Sequence, residues 1–275
     1  MSNEMAKYQA LLERIKRFGS LLVAFSGGVD SALLAYAAAQ ALGERALAVT
    51  VVSPLNPLGE PESAREFSAK LGIRHRIFEA NVLDDPLIKE NSPQRCYYCK
   101  RRLFSALLNM AKENGIAFVA DGENLDDCSF RRPGSVAVHE LGVISPLQEL
   151  NLSKAEIREV SRQLSLPTWN YPSMACLATR FPYGTPLEPE LLHRVGSAEK
   201  ALAQLQLGQL RLRHHGNLAR VEIRPLDLKR IEEHRSKIIE TLKAYGYQYI
   251  CLDLEGYRFG SADEVLTRSV EPEDL

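Results

Sequence analysis

The first 120 residues alternate short apolar segments with helical segments, and this alternation strongly limits the fold. Apolar stretches at residues 21–25, 46–52, 73–78 and 116–120 have the length of buried strands. Helical patterns lie between them at residues 31–42, 61–71 and 100–114. Such alternation predicts a doubly wound, mostly parallel sheet covered by helices on both faces. Ligands of these sheets bind at the carboxyl ends of the strands.

The pattern changes after about residue 171. A helix after Pro189, two alternating strands in "LRLRHH" and "ARVEI", a helix over residues 227–244 and a strand in "YQYICLDL" predict a small α+β domain. We therefore expect an α/β domain over residues 1–170 and an α+β domain over residues 171–275. A further helix should begin at Ser153, with Glu156 completing a capping box.

Composition limits the class of protein. The net charge of -1 and the pI of about 6.6 disfavour a large nucleic-acid footprint, which needs a basic excess. The N-terminal segment lacks the apolar stretch of a signal peptide, and no apolar run approaches the ~18 residues of a membrane span. Five cysteines in a cytosolic chain suggest metal binding or catalysis rather than disulfides. We expect a cytoplasmic protein without nucleic-acid or membrane partners.

The stretch "SGGVDS", residues 26–31, joins the first predicted strand to the first helix of the α/β pattern. Glycines permit close approach of a ligand, and a helix N-terminus favours phosphate. No Gly-Lys-Ser/Thr follows, so the stretch is not a Walker loop. The alternative is a plain glycine turn. The phosphate-binding interpretation assigns roles to Ser26, Gly27, Gly28, Asp30 and Ser31.

Three cysteines form a second group of candidate site residues. "QRCYYCKRR" places Cys96 and Cys99 in a C-x-x-C just before a predicted helix, and "MACLATR" places Cys176 in the linker between domains. Three thiolates on one site suit a 4Fe-4S cluster with one iron not bound by the protein. Zinc with a histidine as fourth ligand, a thioredoxin-like redox pair and inert buried cysteines are the alternatives.

The loop resembles the PP-loop of ATP pyrophosphatases, which cleave ATP to AMP and pyrophosphate. With "DGENLDD…RRPG", "SPLQELNLSKAEIR", "CLATRFPYGT" and "LRLRHHGNLARVEI", nearly the whole chain is similar to the LarE family of ATP-dependent sulfur transferases. The resemblance implies that pyridinium-3,5-biscarboxylic acid mononucleotide is adenylated and that sulfur then displaces AMP. The thiocarboxylate product belongs to the nickel-pincer cofactor of lactate racemase. ATP and Mg²⁺ are implied cofactors, and relatives form homo-oligomers.

The resemblance also implies site residues. Asp30 would assist through magnesium or by orienting the loop, and Gly122 and Asp126 would lie near the ribose and phosphates of ATP. Arg211 and Arg213 alternate on one strand face, a geometry suited to gripping the substrate phosphate, although a solvated face is the alternative. Thr179 and Arg180 are further candidates for that phosphate. Glu199 and Glu222 match family carboxylates that can bind a metal ion, but Arg230 stands at the third such position. Lys100, Arg132 and Lys154 are candidate phosphate contacts, and a surface cation is the alternative for each.

The family has two sulfur strategies. A single cysteine at the position of Cys176 gives up its own sulfur, or three cysteines hold a 4Fe-4S cluster that carries sulfide. The resemblance places Cys96, Cys99 and Cys176 in the second branch, with sulfide or another sulfur source as co-substrate. Competing functions are a cluster-dependent tRNA thiolase, an NAD or GMP synthetase-like ligase and a non-catalytic ATP-binding protein.

Overall fold

The computed structural model describes residues 2–129, 133–172, 175–258 and 260–267. The strands, in chain order, are β1 (Leu21–Ala24), β2 (Ala46–Val52), β3 (His75–Glu79), β4 (Phe118–Ala120), β5 (Leu210–His215), β6 (Leu218–Ile223) and β7 (Tyr249–Leu252). The α-helices are α1 (Asn3–Lys16), α2 (Val29–Leu42), α3 (Glu60–Lys70), α4 (Pro86–Lys89), α5 (Arg95–Glu113), α6 (Pro133–Glu140), α7 (Pro146–Glu149), α8 (Lys154–Gln163), α9 (Pro189–Ala203), α10 (Leu228–Glu233), α11 (Arg235–Ala244) and α12 (Glu264–Thr267).

The chain divides into two compact units. The first comprises residues 1–53, 59–82 and 96–174, and the second comprises residues 54–58, 83–95 and 175–275. Two short segments from the N-terminal half thus belong to the second unit, where Leu177 N donates to Leu55 O (2.9 Å) and Leu187 N to Lys89 O (2.8 Å). The assignment of an adenylating domain to residues 1–170 and a substrate domain to residues 171–275 stays a prediction.

The first unit is built on a parallel four-stranded sheet with the order β3-β2-β1-β4, which confirms the predicted α/β architecture. Alternate residues of β1 face opposite sides, as a strand requires. Leu21 and Val23 pack in the core formed with α1, α2 and α8. Leu22 packs in a second core, formed with α5 and α6. Helices therefore cover both faces of the sheet.

The second unit contains a three-stranded sheet with the order β5-β6-β7, in which β5 and β6 are antiparallel and β6 and β7 parallel. One face packs against α9 and α11 through leucines and isoleucines that include Leu212 and Ile238. Arg211 and Arg213 alternate with these core residues, so they lie on the other face. This unit is the predicted α+β part of the chain.

Two helices differ from the prediction by more than one or two end residues. Helix α5 begins at Arg95, so Cys96 and Cys99 lie inside its first turns and not before it. Pro93 and Gln94 come immediately before this start, and no helix breaker follows them. The predicted helix over residues 227–244 is divided into α10 and α11, because His234 leaves helical geometry (φ -105°, ψ 10°). Among the helices described, none is long and apolar enough to cross a membrane.

Candidate active site

The glycine loop at residues 26–31 lies at the carboxyl end of β1, which pairs with β2 and β4. Gly27 has a φ of +79°, a conformation that side chains disfavour. Ser31 Oγ donates to Gly28 O (3.2 Å) and lies 3.1 Å from Ser26 Oγ. Gly28 is the N-cap of α2 and has no side chain to cap the first N–H groups of the helix. The loop thus presents backbone N–H groups and two hydroxyls, as phosphate recognition requires.

The segment from Asp121 to Asp127 follows β4, the neighbour of β1, and lies against this loop. A Cβ on Gly122 would be 3.0 Å from Ser31 N, so a side chain at this position would force the backbone of the loop to shift. Asn124 Oδ1 accepts from Asp126 N (2.9 Å), and Asp126 Oδ2 accepts from Lys154 N (2.9 Å). Asp126 therefore holds the first residue of α8, while Gly122 permits close contact with the loop. The two segments predicted to line the ATP site are therefore neighbours in the first unit, and the roles assigned to Gly122 and Asp126 toward ATP stay predictions.

Asp30 is the carboxylate at the start of α2. Lys154 forms a short ion pair with Asp30 Oδ2, and Asn124 Nδ2 lies 3.3 Å from Oδ1. Burial raises the pKa of Asp30, and the Lys154 ammonium opposes that rise. Lys154 is held by the N-terminus of α8, where Ser153 and Glu156 form the predicted capping box. A cation therefore already sits beside the phosphate loop.

Asp121 was missed by the sequence reasoning, although it directly precedes Gly122. It is almost fully buried, and Oδ1 accepts from Ser145 Oγ (2.8 Å) and from Glu123 N (3.2 Å). Burial raises its pKa to about 6. The signal that could have found it is its position, an acidic residue at the carboxyl end of β4, the strand beside β1.

Cys96 and Cys99 are three residues apart at the start of α5, where side chains at i and i+3 are neighbours on the helix surface. Cys96 is exposed and Cys99 is partly buried. The next residue, Lys100, packs its side chain close to Gly134 in α6, and its Nζ lies 5.1 Å from the Phe104 ring centre. Arg132, a further predicted phosphate contact, lies outside the described residues.

Cys176 immediately precedes a 3₁₀ turn, Leu177–Arg180, in the second unit. Thr179 Oγ1 donates to Cys176 O (2.8 Å), and Arg180 Nη1 donates to Ala175 O (2.9 Å). Arg180 Nε and Nη2 form two hydrogen bonds to Glu199 (2.9 and 2.8 Å). Thr179 and Arg180 therefore contact the backbone around Cys176 in addition to lying near Arg211 and Arg213.

Arg211 and Arg213 are buried, with exposed fractions of 8% and 7%, so the solvated-face alternative does not apply. Arg213 pairs with Glu222 (2.7 Å) and donates to Thr179 O (2.6 Å). Arg211 donates to Leu210 O (2.7 Å) and lies over the Tyr257 ring at 5.3 Å. Burial, and then the neighbouring Arg180 charge, lower the pKa of Arg211. Such a concentration of arginines favours an anionic ligand.

We call Arg180, Arg211, Arg213 and Arg220, with the carboxylates that pair with them, the arginine cluster. Arg220 is the member that the sequence reasoning missed. It lies opposite Arg213 in the β5–β6 register, and it pairs with Glu222 (3.0 Å) and Asp253 (3.5 Å). The signal was present in the sequence, because two antiparallel strands joined by a short turn place Arg220 across from Arg213.

The two carboxylates assigned to a metal ion are engaged by arginines instead. Glu199 pairs with Arg180, and Glu222 pairs with Arg213 and Arg220. Arg230, at the third position, donates to Gln206 O (3.0 Å). A divalent cation would have to displace arginine from both carboxylates, so these residues do not fit one. Across the described ranges, no group of three His, Cys, Asp or Glu residues could hold a metal ion.

Comparisons with known proteins agree with the geometry of the first unit. The NAD synthase family model matches residues 8–100. One chain of the glutamine-hydrolyzing GMP synthase of Archaeoglobus fulgidus is 32% identical over 171 residues, which cover 56% of this protein and 54% of that chain. The phosphate loop and the parallel sheet make the first unit a PP-loop domain of the type that uses ATP.

Two relatives match nearly the whole chain. An uncharacterized protein of Synechocystis is 41% identical over 266 residues, 94% of this chain and 99% of that protein. Pyridinium-3,5-bisthiocarboxylic acid mononucleotide synthase of Lactiplantibacillus plantarum is 33% identical over 270 residues, 98% of each chain. The chain belongs to the family of that synthase, the LarE family.

Proposed function

We propose that this protein is an ATP-dependent sulfur transferase acting on pyridinium-3,5-biscarboxylic acid mononucleotide. The single observation that carries the proposal is the match along 98% of the chain to the synthase of Lactiplantibacillus plantarum. The phosphate loop at the N-terminus of α2 supplies the ATP site, and the arginine cluster supplies an anion site. The product would be a thiocarboxylate for the nickel-pincer cofactor of lactate racemase.

The first step is adenylation. A ring carboxylate oxygen attacks the α-phosphorus of ATP, the bond to the bridging oxygen breaks, and pyrophosphate leaves with acyl-AMP as product. Ser26, Gly27, Gly28 and Ser31 would hold the leaving phosphates through N–H groups and hydroxyls. Asp30 would orient the loop or bind Mg²⁺ that accompanies ATP, and Lys154 would neutralise phosphate charge when ATP separates it from Asp30. Gly122 and Asp126 would line the ribose side.

The second step exchanges oxygen for sulfur. A carboxylate carbon reacts poorly with nucleophiles. Adenylation makes this carbon reactive, because AMP is a good leaving group. A sulfur nucleophile attacks the acyl carbon, and AMP leaves with the electron pair of the broken C–O bond. Arg211 and Arg213 would hold the mononucleotide phosphate during both steps, while Thr179 and Arg180, which were also predicted to bind that phosphate, bond to the backbone around Cys176 instead. Holding the phosphate fixes the distance from the pyridinium ring to Cys176.

We further propose that Cys96, Cys99 and Cys176 bind a 4Fe-4S cluster. Since no three such ligands lie together among the described residues, the proposal rests on the chemistry of the thiol donors and on the i, i+3 spacing of Cys96 and Cys99 on α5, and Cys176 would have to join them when the cluster binds. When bound, the cluster would supply an iron site for inorganic sulfide. In the alternative strategy, Cys176 gives up its own sulfur and becomes dehydroalanine. The proposal also includes a cytoplasmic location, homo-oligomeric assembly and a small-molecule sulfur source, and these rest on the sequence argument.

The test combines product analysis with mass spectrometry of the protein. Anaerobically purified enzyme, MgATP, the biscarboxylic acid mononucleotide and sulfide should give AMP, pyrophosphate and a product in which sulfur replaces oxygen. Asp30→Ala should lower pyrophosphate exchange strongly while far-UV circular dichroism is retained. Formation of ADP and phosphate would contradict adenylation. Stoichiometric turnover with dehydroalanine at position 176 would contradict the cluster and identify Cys176 as the sulfur donor.

The match of residues 8–100 to NAD synthase favours one second candidate, an amide-forming ligase. Such an enzyme shares the adenylation step and then uses ammonia as nucleophile. The same assay separates the two functions when ammonium replaces sulfide, because the ligase would give a carboxamide.

A further inference from the structure

Arg180 is one of the most buried charged residues of the second unit, with an exposed fraction of 3%. Each of its three guanidinium nitrogens donates a hydrogen bond. Nε and Nη2 bind the two oxygens of Glu199, and Nη1 binds Ala175 O, Thr179 Oγ1 and Cys176 O (2.9, 2.9 and 3.3 Å). Glu199 therefore neutralises the charge of Arg180 through two hydrogen bonds. The hydrogen bonds of Nη1 go to residues 175–179.

These contacts fix the backbone on both sides of Cys176. Ala175 O belongs to the peptide plane before Cys176, and Cys176 O belongs to the plane after it. Cys176 O also accepts from Thr179 N (3.0 Å) and Thr179 Oγ1 (2.8 Å). Holding both planes sets φ and ψ of Cys176 (-47° and 137°), and these angles set the direction of its Cα–Cβ bond.

We propose that the Glu199–Arg180 ion pair is a positioning device for the Cys176 side chain. Arg180 donates to the carbonyl oxygens of Ala175 and Cys176, and its ion pair with Glu199 ties it to α9, which packs in the core of the second unit. Arg180 and Glu199 are thus positioning residues, and the substrate phosphate is left to Arg211 and Arg213. The need for positioning rests on the proposed function, since sulfur chemistry at Cys176 requires a fixed sulfur atom. The positioning itself does not depend on that function.

Lysine at position 180 keeps the charge but cannot make the bidentate bond to Glu199 while also reaching both carbonyls. Glutamine at position 199 keeps the size of the anchor but loses its charge. Both Arg180→Lys and Glu199→Gln should therefore loosen Cys176 without placing a new group beside it. The double variant should behave like either single variant, because the two residues act as one unit.

The first measurement needs neither ATP nor substrate. Cluster-free protein is treated with iodoacetamide, and the alkylation rate of each cysteine is followed by peptide mass spectrometry. The rate at Cys176 should rise at least threefold in both single variants, while Cys96 and Cys99 serve as internal references and stay unchanged. Arg194→Lys is the matched control, because Arg194 is an arginine of the same unit that bonds to His214 and Gly216 instead.

The second measurement separates positioning from phosphate binding. Affinity for nicotinic acid mononucleotide, measured calorimetrically, should change less than twofold in Arg180→Lys. Pyrophosphate exchange should also be retained, while sulfur transfer falls about tenfold, so the loss lies after adenylation. An unchanged Cys176 alkylation rate in both single variants would overturn the proposal. An equal rise at all three cysteines, or a tenfold loss of mononucleotide affinity, would also overturn it. Failure of the wild type to transfer sulfur would refute the proposed function and leave the alkylation result standing.

Discussion

The phosphate loop of the first unit and the arginine cluster of the second unit both suit anions, but they are built differently. The loop uses backbone N–H groups and hydroxyls, and its internal bonds join residues within six positions, such as Ser26 and Ser31. The cluster uses buried guanidinium groups that carboxylates hold, such as Glu199 with Arg180. The loop depends on backbone conformation, whereas the cluster depends on charge balance.

This difference decides what each region tolerates. A backbone site is sensitive to added atoms, because a ligand must approach the chain closely. A site of buried ion pairs is sensitive to removed atoms, because the loss of one partner leaves an uncompensated buried charge. Substitutions that delete a charge should therefore damage the second unit more, and substitutions that add a methyl group should damage the loop more.

The largest expected effect is on stability in the arginine cluster. Glu222 is 1% exposed and pairs with Arg213 and Arg220. Glu222→Ala should lower the free energy of unfolding by about 3–5 kcal/mol, the usual result of breaking a buried pair from one side. Asp30→Asn breaks the more exposed pair with Lys154 and should change the free energy of unfolding by less than about 1 kcal/mol, because the cost of burying Asp30 offsets the attraction to Lys154. Urea denaturation measures both, and equal costs would contradict the proposed contrast.

The next largest effect tests added atoms in the loop. Gly28 has an ordinary φ of -72°, and a Cβ there would meet Ser26 Oγ only at 3.5 Å. Gly28→Ala should thus fold with nearly unchanged stability. It should nevertheless lower adenylation about 100-fold, or roughly 3 kcal/mol, if ATP phosphates approach this residue. Pyrophosphate exchange measures the loss.

Gly122→Ala is the matched comparison, because its Cβ would lie 3.0 Å from the backbone nitrogen of Ser31. It should lower both stability and adenylation. Full adenylation activity in Gly28→Ala would show that the glycine serves only the turn.

The same contrast explains what the sequence could predict. The loop was predictable because strand, glycines and helix are contiguous, so that a motif of six residues describes the site. The anchoring of Arg180 was not predictable, because Glu199 lies 19 residues away on another element. The pairing of Asp30 with Lys154 spans 124 residues and depends on the fold of the first unit. Burial of Arg211 and Arg213 likewise requires the tertiary structure, since alternation on a strand fits a solvated face equally well.

A smaller effect concerns pH and the loop region. Burial raises the pKa of Asp121 to about 6, so the folded protein holds this proton more tightly than the unfolded chain does. The contribution of Asp121 to stability must then decrease as pH rises from about 4 to about 7, by roughly 2 kcal/mol. Asp121→Asn cannot titrate, so its stability relative to wild type should rise across this window and stay constant above it.

Urea denaturation at several pH values gives the difference curve for Asp121→Asn. A flat curve for Asp121→Asn would show that the carboxyl group titrates alike in the folded and unfolded states.

The smallest expected effect concerns ligand affinity in the arginine cluster, and it tests which arginine meets the ligand. Arg211 lies 3.7 Å from Glu199, whereas Arg180 is 2.8 Å from the same carboxylate, and the short bond of Arg211 is to Leu210 O. An incoming phosphate could therefore compensate the Arg211 charge more closely than Glu199 does.

Lysine carries the same charge, but it cannot bind Leu210 O, cover the Tyr257 ring and reach a phosphate together. Arg211→Lys should weaken mononucleotide binding about tenfold, or about 1.4 kcal/mol, with ATP binding unchanged. Arg220→Lys is the control, because Arg220 lies at the more exposed edge of the cluster, with a side chain 37% exposed, and should change affinity less than threefold. Equal affinity in wild type and Arg211→Lys would mean that the cluster is a structural ion-pair network and that the phosphate binds elsewhere.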